Sequence, residues 1–460
     1  MSKTSKTNSN VVNVVEKHCI KPSHELWEFV DILCWQVRVL RNKANFIIRQ
    51  NFFSTKNHKF INYENLDTIF KRHEKLENIY RIVPRATIAQ QCLRSLVTDW
   101  GNFFKAVKAY SKNPDKFLGK PKPPKYKKDS QTSEAVLVKQ EFKVFKNYVQ
   151  LPKYLNNYKL PYHSKGVLQQ IRIIPCSNKN YKIELVFEIT VPKLLQPNNR
   201  YMSIDIGVDN LAAIVTNIGI NPILLNGKGL KSINQYYNKE ISYLKSLLPF
   251  YKNGKQKSSS KQIERLYTNR NNKIDAYLHR CSKFIVYMAS KCNIDTIIIG
   301  YNEGWKQECQ MGNVNNQNFQ QIPFLRFINQ IKYKGRNQGI NVVTIDEAYT
   351  SGTSFLNTEP PSKDFYNKSR RIHRGLFKNI NNQTNKIQYI NADINASYQI
   401  LNKYLQTQDN CYVVEGSQDI FKIKEVFNVT NILPDFEHIS YALSPNKVTI
   451  NNNIAIDKLY

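Results

Sequence analysis

The chain has 460 residues and carries 67 Lys and Arg against 35 Asp and Glu, a formal net charge of +32. Hydrophobic residues at 41% and aromatics at 12% are enough for packed cores and exclude a disordered chain. An excess of cations on this scale has no use in an enzyme of small neutral molecules and points to a polyanion, whose neutralised phosphates release counterions.

The length fits two or three domains. The opening MSKTSKTNSN lacks the apolar core of a signal peptide, and no segment offers about 20 continuous apolar residues. The expectation is an intracellular protein without a membrane partner, in the cytoplasm or nucleoid of a bacterium or the nucleus of a eukaryote. Eight cysteines, at 19, 34, 92, 176, 281, 292, 309 and 411, are scattered with no CxxC pair. That pattern writes neither a disulfide framework nor a four-cysteine zinc site.

VVNVVEKHCI at 11–20 reads as a strand. Pro22 and Ser23 then open a helix, with Ser23 as candidate N-cap and Leu26, Val30, Leu33, Val37 and Ile47 near helical spacing to about Gln50. A second helix follows Pro84, with Ile88, Cys92, Leu96, Trp100, Phe103 and Val107 on one stripe and Gln90, Gln91, Arg94, Asn102 and Lys105 opposite. KFLGKPKPPKYKKD at 116–129 is extended and polyproline-like. It can hold Lys120, Lys122, Lys125, Lys127 and Lys128 along a phosphate backbone, with Tyr126 available to stack on a base; a flexible linker is the plainer alternative.

From about 134 to 192 the pattern is β-rich. In YKIELVFEITVP the residues Tyr181, Ile183, Leu185, Phe187, Ile189 and Val191 alternate with polar ones, which suggests a small antiparallel barrel or a sheet with one buried face. Residues 201–405 read as mixed α/β. Strands are expected at 201–206, 211–216, 222–225, 296–299 and 341–345. Helices are expected at 232–249 and 260–291 as a hairpin, after Pro323, and from Ala392 to about Leu405. The tail from 409 carries short β-like runs, CYVV and FKIKEVF, and is slightly acidic.

Three antiparallel strands followed by helices alternating with further strands form an RNase H-like outline, which can bring distant acids to one sheet edge. Asp205 ends the first strand, Glu347 follows the strand NVVTI, and Asp393 falls in the first turn of a helix that Asn391 can cap. Clustered carboxylates suit phosphodiester hydrolysis, in which two Mg²⁺ about 4 Å apart activate a water and stabilise the leaving 3′ oxygen. Each acid also fits a plainer role: Asp205 as a turn residue before Gly207, Glu347 as a surface acid with Asp346 an equal candidate by position, and Asp393 as a partner of the helix N-terminus.

These stretches resemble a family. SIDIGVDNLAAIVTN at 203–217, IDTIIIGYNEGWKQ at 294–307, NQNFQQIPF at 316–324, INVVTIDEAYTSGTSFLN at 340–357, RRIHRGLF at 370–377 and INADINASYQIL at 390–401 are similar to the nuclease motifs of TnpB, of its Fanzor relatives and of type V CRISPR effectors. IAQQCLRSL, FFKA and FLGKPKPPKYKK resemble the family's N-terminal half. The resemblance implies an α/β multidomain protein: a β-barrel wedge domain with an inserted helical recognition module, then an RNase H-like RuvC nuclease domain. On it, the wedge would comprise residues 1–20 and 130–200, the recognition module 21–129 and the nuclease 201–405, with 406–460 as a C-terminal tail. It implies an RNA-guided DNA endonuclease whose partners are a guide RNA and double-stranded target DNA with a short adjacent motif, and whose metal ligands are Asp205, Glu347 and Asp393.

Two departures accompany it. The common form ends the strand DTIIIG with a glutamate, where this chain has Gly300; a rearranged form places that acid later, at Glu347, with Glu303 as second choice. Most members also carry a CxxC…CxxC zinc ribbon, and residues 355–390 hold no cysteine. His373 lacks ligand partners in sequence, so zinc is not expected, and Arg370, Arg371 and Arg374 are taken as nucleic-acid contacts or a solvated face. The rival readings are an RNase H-like transposase or integrase working without RNA, and an inactive guide-directed DNA-binding repressor.

Overall fold

The computed structural model describes residues 11–54, 60–250, 254, 256–302, 304, 312–373, 375–407 and 430–432. The chain forms two compact units, Met1–Thr190 and Val191–Tyr460.

In the first unit, β1 (Val11–Ile20) leads into α1 (Trp27–Ser54), α2 (Tyr63–Arg72), α3 (Glu74–Arg81) and α4 (Ala86–Lys112). Strands β2 (Ala135–Val138), β3 (Lys143–Val144), β4 (Tyr148–Gln150), β5 (Lys159–Pro161), β6 (Val167–Pro175) and β7 (Tyr181–Thr190) follow. They form two antiparallel sheets, β1-β7-β6-β2 and β3-β4-β5. β1 and β2 each have one strand partner and stand as edges, so among the described residues the expected barrel is an open sheet. Leu137, Ile171, Ile173, Ile183 and Leu185 share one core with Val30, Leu33 and Val37 of α1 and Ile88, Leu93 and Leu96 of α4. The strand alternation read from the sequence thus buries one face beneath the helices.

One local expectation changes. Helix α1 starts at Trp27, so Ser23 lies in the preceding turn and does not cap it; the His24 Nδ1 accepts from the Leu26 N–H at 3.1 Å in that turn. Helices α2 and α3 were not anticipated. They are short and bury two residues each, Leu66 with Phe70 and Leu76 with Tyr80, too few turns for a period to show. The runs CYVV and FKIKEVF lie outside the described residues.

The second unit begins with β8 (Tyr201–Asp205), β9 (Asn210–Thr216) and β10 (Ile223–Asn226), then α5 (Lys228–Ser246) and α6 (Lys261–Lys291). β11 (Thr296–Gly300), α7 (Asn313–Gln321), α8 (Phe324–Asn337) and β12 (Asn341–Ile345) come next. A small antiparallel sheet of β13 (Arg371–His373), β14 (Leu376–Ile380) and β15 (Ile387–Asn391) precedes α9 (Ala392–Thr407), and β16 (Thr430–Ile432) follows it. The main sheet has the order β12-β11-β8-β9-β10-β16. β8, β9 and β10 are antiparallel neighbours, whereas β11 runs parallel to β8 and β12 parallel to β11.

The two faces of this sheet are covered by different helices. Met202, Ile204, Ile297 and Ile299 pack with Leu278 and Ile285 of α6 and Phe327 and Ile331 of α8. Ala213, Val215 and Ile298 pack with residues of α9, among them Ile394, Tyr398 and Ile400. Side chains alternate along a strand, so the residues between those of the first group face α9. Ser203 is one of them, and its hydroxyl donates to the Ser397 carbonyl at 2.5 Å. Asp205, two residues on, is the next. No helix among the described residues is long and apolar enough to cross a membrane.

Candidate active site and nucleic-acid surface

Asp205, Glu347 and Asp393 line one cavity of about 1090 Å³. Each arrives by its own local logic. Asp205 closes β8 on the α9 face, paired in register with Ala213. Asp393 sits in the first turn of α9, where the Asn391 Oδ1 accepts from the backbone N–H groups of Asp393 and Ile394 at 3.0 and 3.1 Å. This is the helix cap expected from the sequence. Glu347 stands two residues beyond β12, its backbone N–H donating to the Asn302 Oδ1 at 2.9 Å.

The electrostatics register their closeness. Asp205 is held well above the ordinary carboxylate range, first by burial and then by the charges of Asp393 and Glu347. Arg371 and the Ile206 backbone N–H oppose that shift. Burial pushes Glu347 up to about 7, with Asp346 adding to the shift and Lys403 opposing it. Burial and neighbouring negative charge thus disfavour ionisation of Asp205 and Glu347 unless positive charge joins them.

Part of that charge comes from the protein. Arg371 Nη2 donates to Asp393 Oδ1 at 2.8 Å, and Asn210 Nδ2 donates to Asp393 Oδ2 at 2.8 Å. Both oxygens of Asp393 are thereby engaged, and among the described residues no group of three or more His, Cys, Asp or Glu side chains is set to hold a metal ion as it stands. Glu347 differs: its Oε2 is buried with no hydrogen-bond partner. A buried carboxylate oxygen without a partner is a hard donor of the kind a divalent cation accepts.

Asp346, an equal candidate by position, turns away and pairs with Lys403 Nζ at 3.2 Å, its side chain 62% exposed. Gly300 lies where the structure has no room for more. A Cβ there would come within 2.5 Å of Ile400 Cδ1 and 3.1 Å of Glu347 Oε2. Glu303 and Arg374 lie outside the described residues. Asn210 and Asn302 were not singled out from the sequence, although they lie inside the stretches 203–217 and 294–307 that carry the resemblance.

Arg370 pairs with Glu359 at 2.5 Å, so both Arg370 and Arg371 rest on acids of their own chain. The β13–β15 sheet is held without cysteine. Phe377 is fully buried, and Asn379 bridges the Ser354 hydroxyl, the Asn357 Oδ1 and the Gln388 Oε1 at 2.6–3.2 Å. His373 is exposed on β13.

The lysine strip belongs to the first unit and is no loose linker. Arg38, Asn42, Asn45 and Arg49 recur along one face of α1 and grip its backbone. Asn42 holds both the carbonyl and the N–H of Lys127, at 2.8 and 2.9 Å. Asn45 and Arg49 both donate to the Pro124 carbonyl at 3.0 Å, and Arg38 donates to that of Lys128 at 3.2 Å. Trp100 of α4 fixes Asn45 in turn, its Nε1 donating to Asn45 Oδ1 at 3.0 Å. The backbone is thus tied down at Pro124, Lys127 and Lys128, and Lys120, Lys122, Lys125, Lys127 and Lys128 are exposed. Tyr126 is 45% exposed, with the Arg49 guanidinium 5.4 Å from its ring centroid.

Residues 184–306 match the family OrfB_IS605, described as a probable transposase, and residues 324–400 match the Cas12f1-like TNB domain. No curated protein matches the chain. A cryo-EM structure of a Cas12f1–sgRNA–target DNA complex is 15% identical with a TM-score of 0.35, over 85% of this chain and 100% of that one. A cryo-EM structure of a CRISPR-Cas12f ternary complex is 14% identical with a TM-score of 0.34, over 81% and 80%.

Proposed function

We propose that this chain, which belongs to the TnpB/Cas12f-type family, is an RNA-guided DNA endonuclease whose RNase H-like second unit hydrolyses phosphodiesters at Asp205, Glu347 and Asp393. The observation that carries the reading is that acids from three distant segments line one cavity in a chain of net charge +32. A guide RNA would supply sequence recognition by base pairing, while the protein holds backbone and a short motif beside the target. The exposed lysines of the strip are suited to that backbone role.

The three carboxylates would hold Mg²⁺, in two ions, which when bound activates a water and stabilises the leaving 3′ oxygen. Asn302 fixes the backbone of Glu347, a residue of the cavity wall that carries the orphan oxygen. Asn210 and Arg371 hold Asp393 in place, and the Arg371 guanidinium offers the cavity a positive charge matched to a phosphate.

The test is Asp205→Ala, which should abolish cleavage while leaving RNA and target binding largely intact; unchanged cutting removes Asp205 from the mechanism. Glu347→Gln should inactivate and Glu303→Gln should not, and the reverse would move the second acid to Glu303. The family description favours one second reading, a transposase acting without RNA. Purified protein carrying an RNase-sensitive nucleic acid supports the guided reading, and protein that joins DNA ends without RNA supports the other.

A further inference from the structure

Helices α5 and α6 frame a second cavity, of about 600 Å³, whose walls include Ser232, Tyr236, Tyr237, Asn269, Arg270 and Lys273. Arg270 is committed to structure. Its Nε donates to Asn234 Oδ1 at 2.8 Å and its Nη2 to the Gln321 carbonyl at 3.0 Å, while its guanidinium lies 5.0 Å from the Tyr237 ring centroid. Tyr237 is thus a backed wall. Tyr236 beside it is 59% exposed. The side chains of Ser232, Tyr236, Asn269, Asn272 and Lys273 have no hydrogen bond or ion pair among the described residues.

Lys228, Ser232 and Tyr236 recur every four residues and so share one face of α5. Lys228 lines the cavity of the three carboxylates. From Lys228 to Tyr236 the helix rises about 12 Å, at about 1.5 Å per residue. One helix face therefore leads from the acids to the aromatic cavity. Residues 228–291 carry fourteen Lys and Arg against three acids, so this stretch of the chain is strongly basic overall and favours a polyanion.

We propose that the DNA strand presented to the carboxylates runs along this face of α5 and that one of its unpaired nucleotides stacks on Tyr236. Asn269 and Asn272 offer amide edges to the base, and Lys273 offers charge to its phosphate. A tyrosine face accepts any base, so the subsite holds the strand without reading its sequence. A protein partner would leave the cationic surround unexplained, and a guide RNA would have no reason to lie on the face that leads to the cutting site. The inference rests on the nuclease reading above.

The experiment titrates the full chain, in EDTA, with a single-stranded oligodeoxynucleotide containing 2-aminopurine and with the RNA of the same sequence. Stacking quenches the probe. Tyr236→Ala should weaken DNA binding about tenfold and relieve the quenching, in line with a single base–aromatic stack; Tyr236→Trp should restore both. Unchanged DNA affinity and quenching in Tyr236→Ala would overturn the proposal, as would a loss confined to RNA. Binding is read without metal or turnover, so an inactive Asp205→Ala protein that still binds and quenches separates this inference from the catalytic one.

Discussion

The Glu347 carboxylate fills the space that a side chain at Gly300 would occupy. A Cβ at 300 would lie 3.1 Å from Glu347 Oε2, with Ile400 Cδ1 closer still at 2.5 Å. The end of β11 and the turn after β12 are neighbours because the two strands are parallel, with Gly300 opposite Ile345. A carboxylate can therefore reach the same region from either strand, but not from both. The glycine at 300 and the glutamate at 347 are two halves of one arrangement.

Gly300→Ala should accordingly be destabilising by about 1–3 kcal/mol, the usual cost of overpacking a buried site. It should also lower cleavage, since Glu347 must move. Ile400→Val removes the Cδ1 methyl that the new Cβ meets first, so the double variant should regain most of the lost thermal stability. A double variant no more stable than Gly300→Ala alone would show that Ile400 is not the obstacle.

Arg371 stands where a metal ion would compete. It satisfies Asp393 Oδ1 at 2.8 Å, with 36% of its own side chain exposed. A divalent ion drawing on Asp393 must displace it or share the oxygen. Arg371→Gln should then raise the affinity for Mn²⁺, measured by electron paramagnetic resonance on protein free of nucleic acid, by several-fold. A partly exposed pair is worth on the order of 1 kcal/mol, which sets that scale. Weaker Mn²⁺ binding in the variant would show that Arg371 supports the ion instead.

Different parts of this architecture were legible in the sequence to different degrees. Asp205 and Asp393 could be placed because strand alternation and helix capping are local, and each acid ends or begins an element. Glu347 needed the family resemblance, since position alone left Asp346 its equal until Lys403 was seen to take Asp346 outward. The pairing of Asn210 and Arg371 with Asp393 spans 183 and 22 residues and leaves no periodic trace. The open sheet in place of a barrel is likewise a matter of strand partners, which β-alternation does not specify. The lysine strip was visible as composition, but the α1 side chains that fix it were hidden in a helix read only for its apolar face.

That fixation gives a test that removes no charge. Asn42→Ala deletes both bonds to the Lys127 backbone. If the strip lies on phosphates, the variant should bind nucleic acid several-fold more weakly. Combined Ala substitution of Lys125, Lys127 and Lys128 should lower the slope of log K against log salt by roughly 3, at about 0.9 per phosphate contact on B-DNA. Salt slopes unaltered by the triple substitution would place the strip off the backbone.

The raised carboxyls make the stability of the metal-free protein depend on pH in a definite sense. Burial first, then Asp346, pushes Glu347 up to about 7, and burial first, then Asp393 and Glu347, holds Asp205 well above its ordinary range. In the unfolded chain both acids ionise near their reference values, about 4. Between roughly pH 4.5 and 7 the folded state therefore keeps protons that the unfolded chain has released, and stability falls as pH rises through that window. The unfolding temperature in EDTA should drop by a few degrees from pH 5 to 7.5, given about 2–4 °C per kcal/mol for a domain of this size. Glu347→Gln carries no ionisable group at that position and should lose part of the slope, and saturating Mg²⁺ should flatten it in the parent chain. Identical pH profiles for the parent and Glu347→Gln proteins in EDTA would mean that Glu347 is already ionised throughout the window, and that its orphan oxygen meets more positive charge than Lys403 supplies.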